Sequence, residues 1–150
     1  MEQKNNLKIS MVIPAYNEAA TIEACLKAVF AQHHPFDEVI VVDNNSTDNT
    51  IEIAQQFDVT IIQELQQGVV YARDAGFDNA AGDIIGRIDA DTLLEPDWTQ
   101  RVLETFANES IAAVTGPVYY HDMPGRLTGQ KADTFVRASL DKLSNKAKFL

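Results

Sequence analysis

Short apolar runs alternate along this chain with stretches whose apolar residues recur at helical spacing. Lys8 to Ile13 is apolar and β-branched and is closed by Pro14, which predicts a strand. Asn17 is placed to cap a helix beginning at Glu18, with Ile22, Cys25, Leu26, Val29 and Phe30 on one face and His33-His34-Pro35 as its end. Glu38 to Val42 is a second strand, running into Asp43. A polar turn over Asn44–Asp48 then leads to a helix through Ile51, Ala54 and Phe57. Val59 to Ile62 is a third strand. Gln66-Gln67-Gly68 breaks the chain, and a helix from Val69 to Ala81 is stopped by Gly82. Ile84 to Ile88 is a fourth strand. Pro96-Asp97-Trp98 starts a helix with Trp98, Val102, Leu103 and Phe106 inward, and Ile111 to Val118 is a fifth strand, interrupted late by Gly116-Pro117. From Gly129 to Leu150 the residues Ala132, Val136, Leu140, Leu143 and Ala147 fall on one stripe, which predicts an amphipathic helix.

Strands alternating with helices of this length predict an α/β fold, a mostly parallel sheet with helices on both faces. The near-continuous apolar strands agree, because parallel strands are buried on both sides. A chain of 150 residues is sized for one domain, and no internal repeat or linker divides it. No apolar run reaches the length of a membrane span, and Met1-Glu2-Gln3-Lys4-Asn5-Asn6 is not an apolar leader. One cysteine, Cys25, excludes an internal disulfide and fits a reducing compartment, so a cytoplasmic location is expected.

The net charge of −10 argues against nucleic acid as a partner. The charge is uneven, however: Arg126, Lys131, Arg137, Lys142, Lys146 and Lys148 face only Asp133 and Asp141. That basic end is either a solvated helix face or a surface meeting another domain or the anionic cytoplasmic face of a membrane. Packing on the domain is the expected use of its apolar stripe.

In an open parallel sheet, ligands bind beyond the carboxyl ends of the strands. The residues just past each predicted strand are therefore informative. Pro14-Ala15-Tyr16-Asn17-Glu18 comes after the first and Asp43-Asn44-Asn45-Ser46 after the second. Gly68 and then Arg73 come after the third, and Asp89-Ala90-Asp91 after the fourth. On an extended segment Asp89 and Asp91 would project to the same side, about 6–7 Å apart at Cα. Two such carboxylates call for a cation, and a divalent metal carrying a phosphorylated ligand is the natural one. Alone, the pair could equally end a strand or cap a helix. Tyr16 could be a packing residue, Glu18 a favourable acid in a first helical turn, and Arg73 an exposed helix arginine. Together at one sheet edge they suit a nucleotide. Neither a G-x-G-x-x-G turn nor a P-loop is present. Tyr16 offers an aromatic face to a base, Asp43 an acceptor for the ring N–H of a uracil, and Arg73 a forked donor to base or phosphate.

Four segments, Val12–Glu18, Val41–Asp48, Gly68–Gly76 and Gly82–Asp91, resemble in order the successive signatures of family 2 glycosyltransferases of the GT-A fold. The likeness runs from about Ser10 to Trp98 and weakly to Val118. It implies that Pro14, Ala15, Tyr16, Glu18, Asp43, Gly68, Arg73 and Asp89 bind the nucleotide. Asp91, with Asp89 beside it, would hold Mn²⁺ or Mg²⁺. Asp74 stands where the family often has Asn.

The resemblance implies metal-dependent transfer of a sugar, with inversion, from a nucleotide-diphosphate sugar to an acceptor hydroxyl on a glycan, lipid or small molecule, with UDP-sugars favoured. The family's general base lies in an acceptor half that this sequence does not resemble, and Glu104, Glu109 and Asp122 match no such motif. Residues 1–150 are therefore expected to be the donor part of a longer catalytic domain. Two other readings stay open: a non-catalytic module binding nucleotide sugar or metal, and a hydrolase using Asp89 and Asp91 as a carboxylate pair.

Overall fold

The apolar runs become the strands of a single sheet. The computed structural model describes residues 7–108, 110–116 and 134–138, the backbone alone for 116 and 134–138. In chain order the elements are β1 (Ile9–Ala15), α1 (Ile22–Phe30), β2 (Glu38–Asp43), α2 (Thr50–Ala54), β3 (Thr60–Gln63), α3 (Val69–Asn79), β4 (Ile84–Arg87), α4 (Trp98–Phe106), β5 (Ala113–Gly116) and β6 (Thr134–Ala138). The sheet runs β3-β2-β1-β4-β6-β5. The β1–β2, β2–β3 and β1–β4 pairs are parallel, whereas β6 pairs antiparallel with both β4 and β5.

Alternation along β1 explains the layers. Ile9, Met11, Ile13 and Ala15 face one side, where α1, α2 and α4 cover them with Ile22, Leu26, Ala54, Val102 and Phe106. Val12 faces the other side and packs with Ile40, Val42 and Ile85 beneath Ala72 of α3. Every residue of β1 is buried. Burying its side chains on both faces provides the main driving force for the sheet. Helix α3 sits especially close: a Cβ added at Gly76 would lie 2.3 Å from Cγ1 of Val12.

Several expected elements differ. Helix α1 starts at Ile22, and Thr21 rather than Asn17 precedes it. Asn17 has φ 55° and its Oδ1 accepts from the Thr47 amide at 2.8 Å, so its side chain ties two loops together instead of capping a helix. β4 ends at Arg87, one residue short of the predicted Ile88, and β5 starts at Ala113, two residues after the predicted Ile111, while Pro117 and Val118 lie outside the described residues. The largest correction concerns the C-terminal stripe. Thr134–Ala138 is a strand, not helix, inserted between β4 and β5. The i, i+4 spacing through Val136 suggested a helix, but β4 without β6 would leave a row of backbone donors and acceptors unpaired. Thr134, Phe135 and Val136 are also good strand formers. The rest of that stripe, Ala132, Leu140, Leu143 and Ala147, lies outside the described residues, as do Glu109 and Asp122. No helix among the described residues is long and apolar enough to cross a membrane.

Candidate functional site

The strand order makes β1 the switch point: the chain steps from β1 to β2 to β3, then crosses back to place β4 on β1's other side. Loops leaving β1 and β4 therefore diverge and open a crevice at the carboxyl edge of the sheet. Sequence-predicted residues after all four strands meet this edge.

The strand runs past the predicted end at Ile13: Pro14 and Ala15 close β1 and are buried, and Tyr16, just beyond it, is 50% exposed. The loop leading on from Tyr16 is held by polar groups from the loop after β2. The Asn17 amide donates to Ser46 Oγ, the Glu18 amide to Thr50 Oγ1 at 2.8 Å, and the Ala19 amide to Asp48 Oδ2. The Thr50 hydroxyl also donates to Asp48, which lowers the Asp48 carboxyl below its ordinary pKa. Glu18 Oε2 accepts from the Thr21 hydroxyl at 2.7 Å, so part of its role is local, at the entry to α1.

Asp43 ends β2 and is only 7% exposed. Its Oδ1 accepts from the Ser46 amide at 2.9 Å, which fixes the carboxylate's orientation. Next to it, buried Asn44 organises the loop that leads into α3. Its amide group donates to the carbonyls of Glu64 at 2.9 Å and Gln66 at 2.8 Å, and its Oδ1 accepts from the Gly68 N–H at 2.7 Å. Gly68 needs this hold because its φ of 141° is one that residues with a side chain rarely adopt. The sequence marks Asn44 only as a turn residue. Its loop partners lie 20 to 24 positions away, so no local pattern reveals them.

Arg73 lies on α3 and points to the fourth loop, with Nη2 3.5 Å from Asp89 Oδ1. Its Nε is buried and has no hydrogen-bond partner. The same Asp89 oxygen is 2.9 Å from Nη1 of Arg87, a residue assigned no role from the sequence. The signal was present: an arginine inside the apolar run Ile84-Ile85-Gly86-Arg87-Ile88 must find an anion when buried. Asp89 and Asp91 do not continue the strand, as the sequence suggested. They sit in a turn closed by the Thr92 N–H donating to the Asp89 carbonyl at 3.0 Å. Alternation of strand faces therefore does not govern their side chains. The cation beside Asp89 is guanidinium, while Asp91 is exposed and accepts no hydrogen bond from a described residue.

Beneath this turn Cys25 is buried, its Sγ 3.8 Å from the Asp89 carbonyl oxygen. Burial, followed by the negative charge of Asp91, pushes its thiol up to about 12. It is no nucleophile at neutral pH. At the opposite edge a groove of about 480 Å³ is lined by residues at the amino ends of the strands, among them Lys8, Ser10, Glu38 and Thr60. None of the predicted nucleotide- or metal-binding residues lines it.

The model of the family described as glycosyl transferase family 2 matches residues 10–148. The chain belongs to this family. It is 34% identical over 146 residues to glycosyltransferase AglE of Haloferax volcanii, a match covering 92% of this chain and 48% of that protein. The chain thus spans about half the length of this family relative. Among solved structures, mannosyltransferase PcManGT from Pyrobaculum calidifontis, in complex with GDP-Man and Mn²⁺, superposes with a TM-score of 0.76 at 24% identity, over 93% of this chain and 47% of that one. Glucosyl-3-phosphoglycerate synthase from Mycobacterium tuberculosis, in complex with Mn²⁺, UDP and glucosyl-3-phosphoglycerate, gives 0.72 at 22% identity, over 89% and 57%. At these identities the likeness is one of fold, and it bears out the GT-A type expected from the four motifs.

Proposed function

We propose that this family 2 chain is the donor-binding part of a glycosyltransferase that moves a sugar from a nucleotide-diphosphate sugar to an acceptor hydroxyl. The observation that carries this reading is the meeting of Asp43, Arg73, Asp89 and Asp91 at one switch-point edge of the sheet. Asp43, held by Ser46, accepts the ring N–H of the base, which favours uracil. Pro14, Ala15 and Tyr16 form the wall beside it, and Glu18 and Gly68 border the nucleotide from the β1 and β3 loops. Arg73 donates to the diphosphate, where its unpartnered Nε finds an oxygen.

The donor set fits a hard divalent cation such as Mn²⁺ or Mg²⁺. No group of three His, Cys, Asp or Glu among the described residues encloses a metal. Phosphate oxygens of the donor and water would supply further ligands. Asp91 would be the direct ligand, with Asp89 beside it. Held there, such an ion would supply Lewis-acid stabilisation of the charge that grows on the leaving diphosphate. The chain's own part is to orient that diphosphate so that an acceptor hydroxyl attacks the anomeric carbon from the opposite side, with inversion. A carboxylate of the acceptor half takes the proton.

Calorimetric titration of the chain with UDP, GDP and their sugars, with and without Mn²⁺, tests the reading. Nucleotide binding strengthened by Mn²⁺ is expected. A chain shown by circular dichroism to be folded that binds no nucleotide under either condition would overturn it.

A further inference from the structure

Arg87 is the last residue of β4, and its Cα is registered with Val12 of β1 and Phe135 of β6. Its side chain is only 9% exposed, and a guanidinium so placed is costly unless it meets an anion in good geometry. It meets Asp89, two residues on, at 2.9 Å, the length of a charge-assisted bond. Arg73, on α3, approaches the same oxygen at 3.5 Å, the outer limit of a hydrogen bond, and keeps a buried Nε without a partner. The two arginines are therefore unequal. One is locked in the sheet and makes a short bond. The other stands on a helix, a third exposed, and makes a long one.

We propose that Arg87 is a positioning residue that fixes the Asp89 carboxylate through Oδ1, so that Arg73 is free to leave Asp89 for the donor diphosphate. This inference rests on the donor-site reading above. Without Arg87, Asp89 would turn to Arg73 as its main cation, and binding diphosphate would first require breaking that pair. Arg87 also offsets one of the two negative charges of the Asp89–Asp91 turn, leaving Asp91 to meet a cation.

The test is a pair of double-mutant cycles on Arg87→Met and Asp89→Asn, with Arg87→Lys as the conservative variant. The first cycle reads UDP and GDP affinity with Mn²⁺ by calorimetry. The second reads unfolding by urea. Arg87→Met is expected to weaken nucleotide binding by about tenfold, the worth of one charge-assisted bond. Arg87→Lys is expected to recover part of that loss, and the double variant to bind no more weakly than Asp89→Asn alone. Full additivity, or unchanged affinity in folded Arg87→Met, overturns the proposal. Should Arg87→Met not fold, Arg87→Lys takes its place in both cycles. If the unaltered chain binds no nucleotide, the donor-site reading fails on its own. The urea cycle then decides here: coupled losses support the Arg87–Asp89 clamp, and additive losses overturn it.

Discussion

Asn44 Oδ1 accepts the Gly68 N–H at 2.7 Å, which joins the end of β2 to the start of α3 across 24 positions of sequence. The same side chain donates to the carbonyls of Glu64 and Gln66. Asn44→Ala leaves all three loop groups to find new partners in a side chain's space that is 3% exposed. Each buried group left unsatisfied costs about 1–3 kcal/mol, and water relieves part of that total in a surface loop. We expect a net loss of about 2–3 kcal/mol by urea denaturation. Asn44→Asp should be no milder, because it sets a carboxylate against two carbonyl oxygens.

Gly76 decides how closely α3 lies on the sheet. Alanine there places a Cβ 2.3 Å from Val12 Cγ1 and 3.1 Å from Val42 Cγ2, neither of which can yield without shifting buried strands. Gly76→Ala should destabilise the fold by about 1–3 kcal/mol, the usual cost of overpacking. Adding Val12→Ala removes the clashing methyl groups, so the double variant should recover part of the loss in thermal melts. A double variant less stable than either single one would contradict this account.

The central parallel strands β1, β2 and β4 were legible because their burial on both faces leaves continuous apolar runs, as in Glu38–Asp43, and the half-buried edge strand β3 because its short run is β-branched. The site edge was legible for a related reason: a strand that stops being apolar at Asp43 or before Asp89 announces its carboxyl end. Three features were not legible. β6 is selected by the open edge of β4, a partner 47 or more residues away in sequence, and its own spacing also fits a helix. Asn17 looks like a cap, but Thr47 claims its side chain. The turn at Asp89 owes its shape to β4 ending early at Arg87, and a period-2 argument cannot see where a strand ends.

Cys25 makes alkaline stability a readout of the packing beneath the Asp89 turn. Its thiol is raised from 9.0 to about 12 in the folded chain, so folding favours the protonated form. The stabilisation is complete below the unfolded pKa of 9.0 and is lost as pH rises toward 12. Within that window the group removes up to about 1.4 kcal/mol per pH unit. Urea midpoints measured from pH 8 to 11 should fall more steeply for the native chain than for Cys25→Ala. Parallel slopes would show that the thiol does not titrate this way. Native Cys25 should also resist alkylation at pH 7.5 and react once urea unfolds the chain.

Asp48 tests the acid side. Its carboxyl is held low mainly by the Thr50 hydroxyl, and its Oδ2 accepts the Ala19 amide. The stability it contributes is present above the unfolded pKa and lost as pH falls through the lower folded one. Asp48→Asn should therefore flatten the decline in melting temperature below about pH 4. An unaltered acid limb would show that Asp48 does not couple to folding.

Asp89 and Asp91 should separate cleanly when each is replaced by alanine. Asp91 is exposed in a turn whose closing bond uses the backbone alone, so Asp91→Ala should leave stability within about 0.5 kcal/mol. What it should abolish is the gain in nucleotide affinity on adding Mn²⁺. Asp89→Ala removes the carboxylate that Arg87 and Arg73 share. A fully buried pair broken in this way costs about 3–5 kcal/mol, but Asp89 is 40% exposed, and solvent screening brings the expected loss to about 1–2 kcal/mol. Asp89→Ala should thus lower the urea midpoint as well as nucleotide affinity. Urea titration and calorimetry on both variants check the contrast. If Asp91→Ala destabilises the fold as much as Asp89→Ala, then Asp91 is a structural carboxylate. If Asp91→Ala also keeps the full Mn²⁺ effect, the ion sits elsewhere.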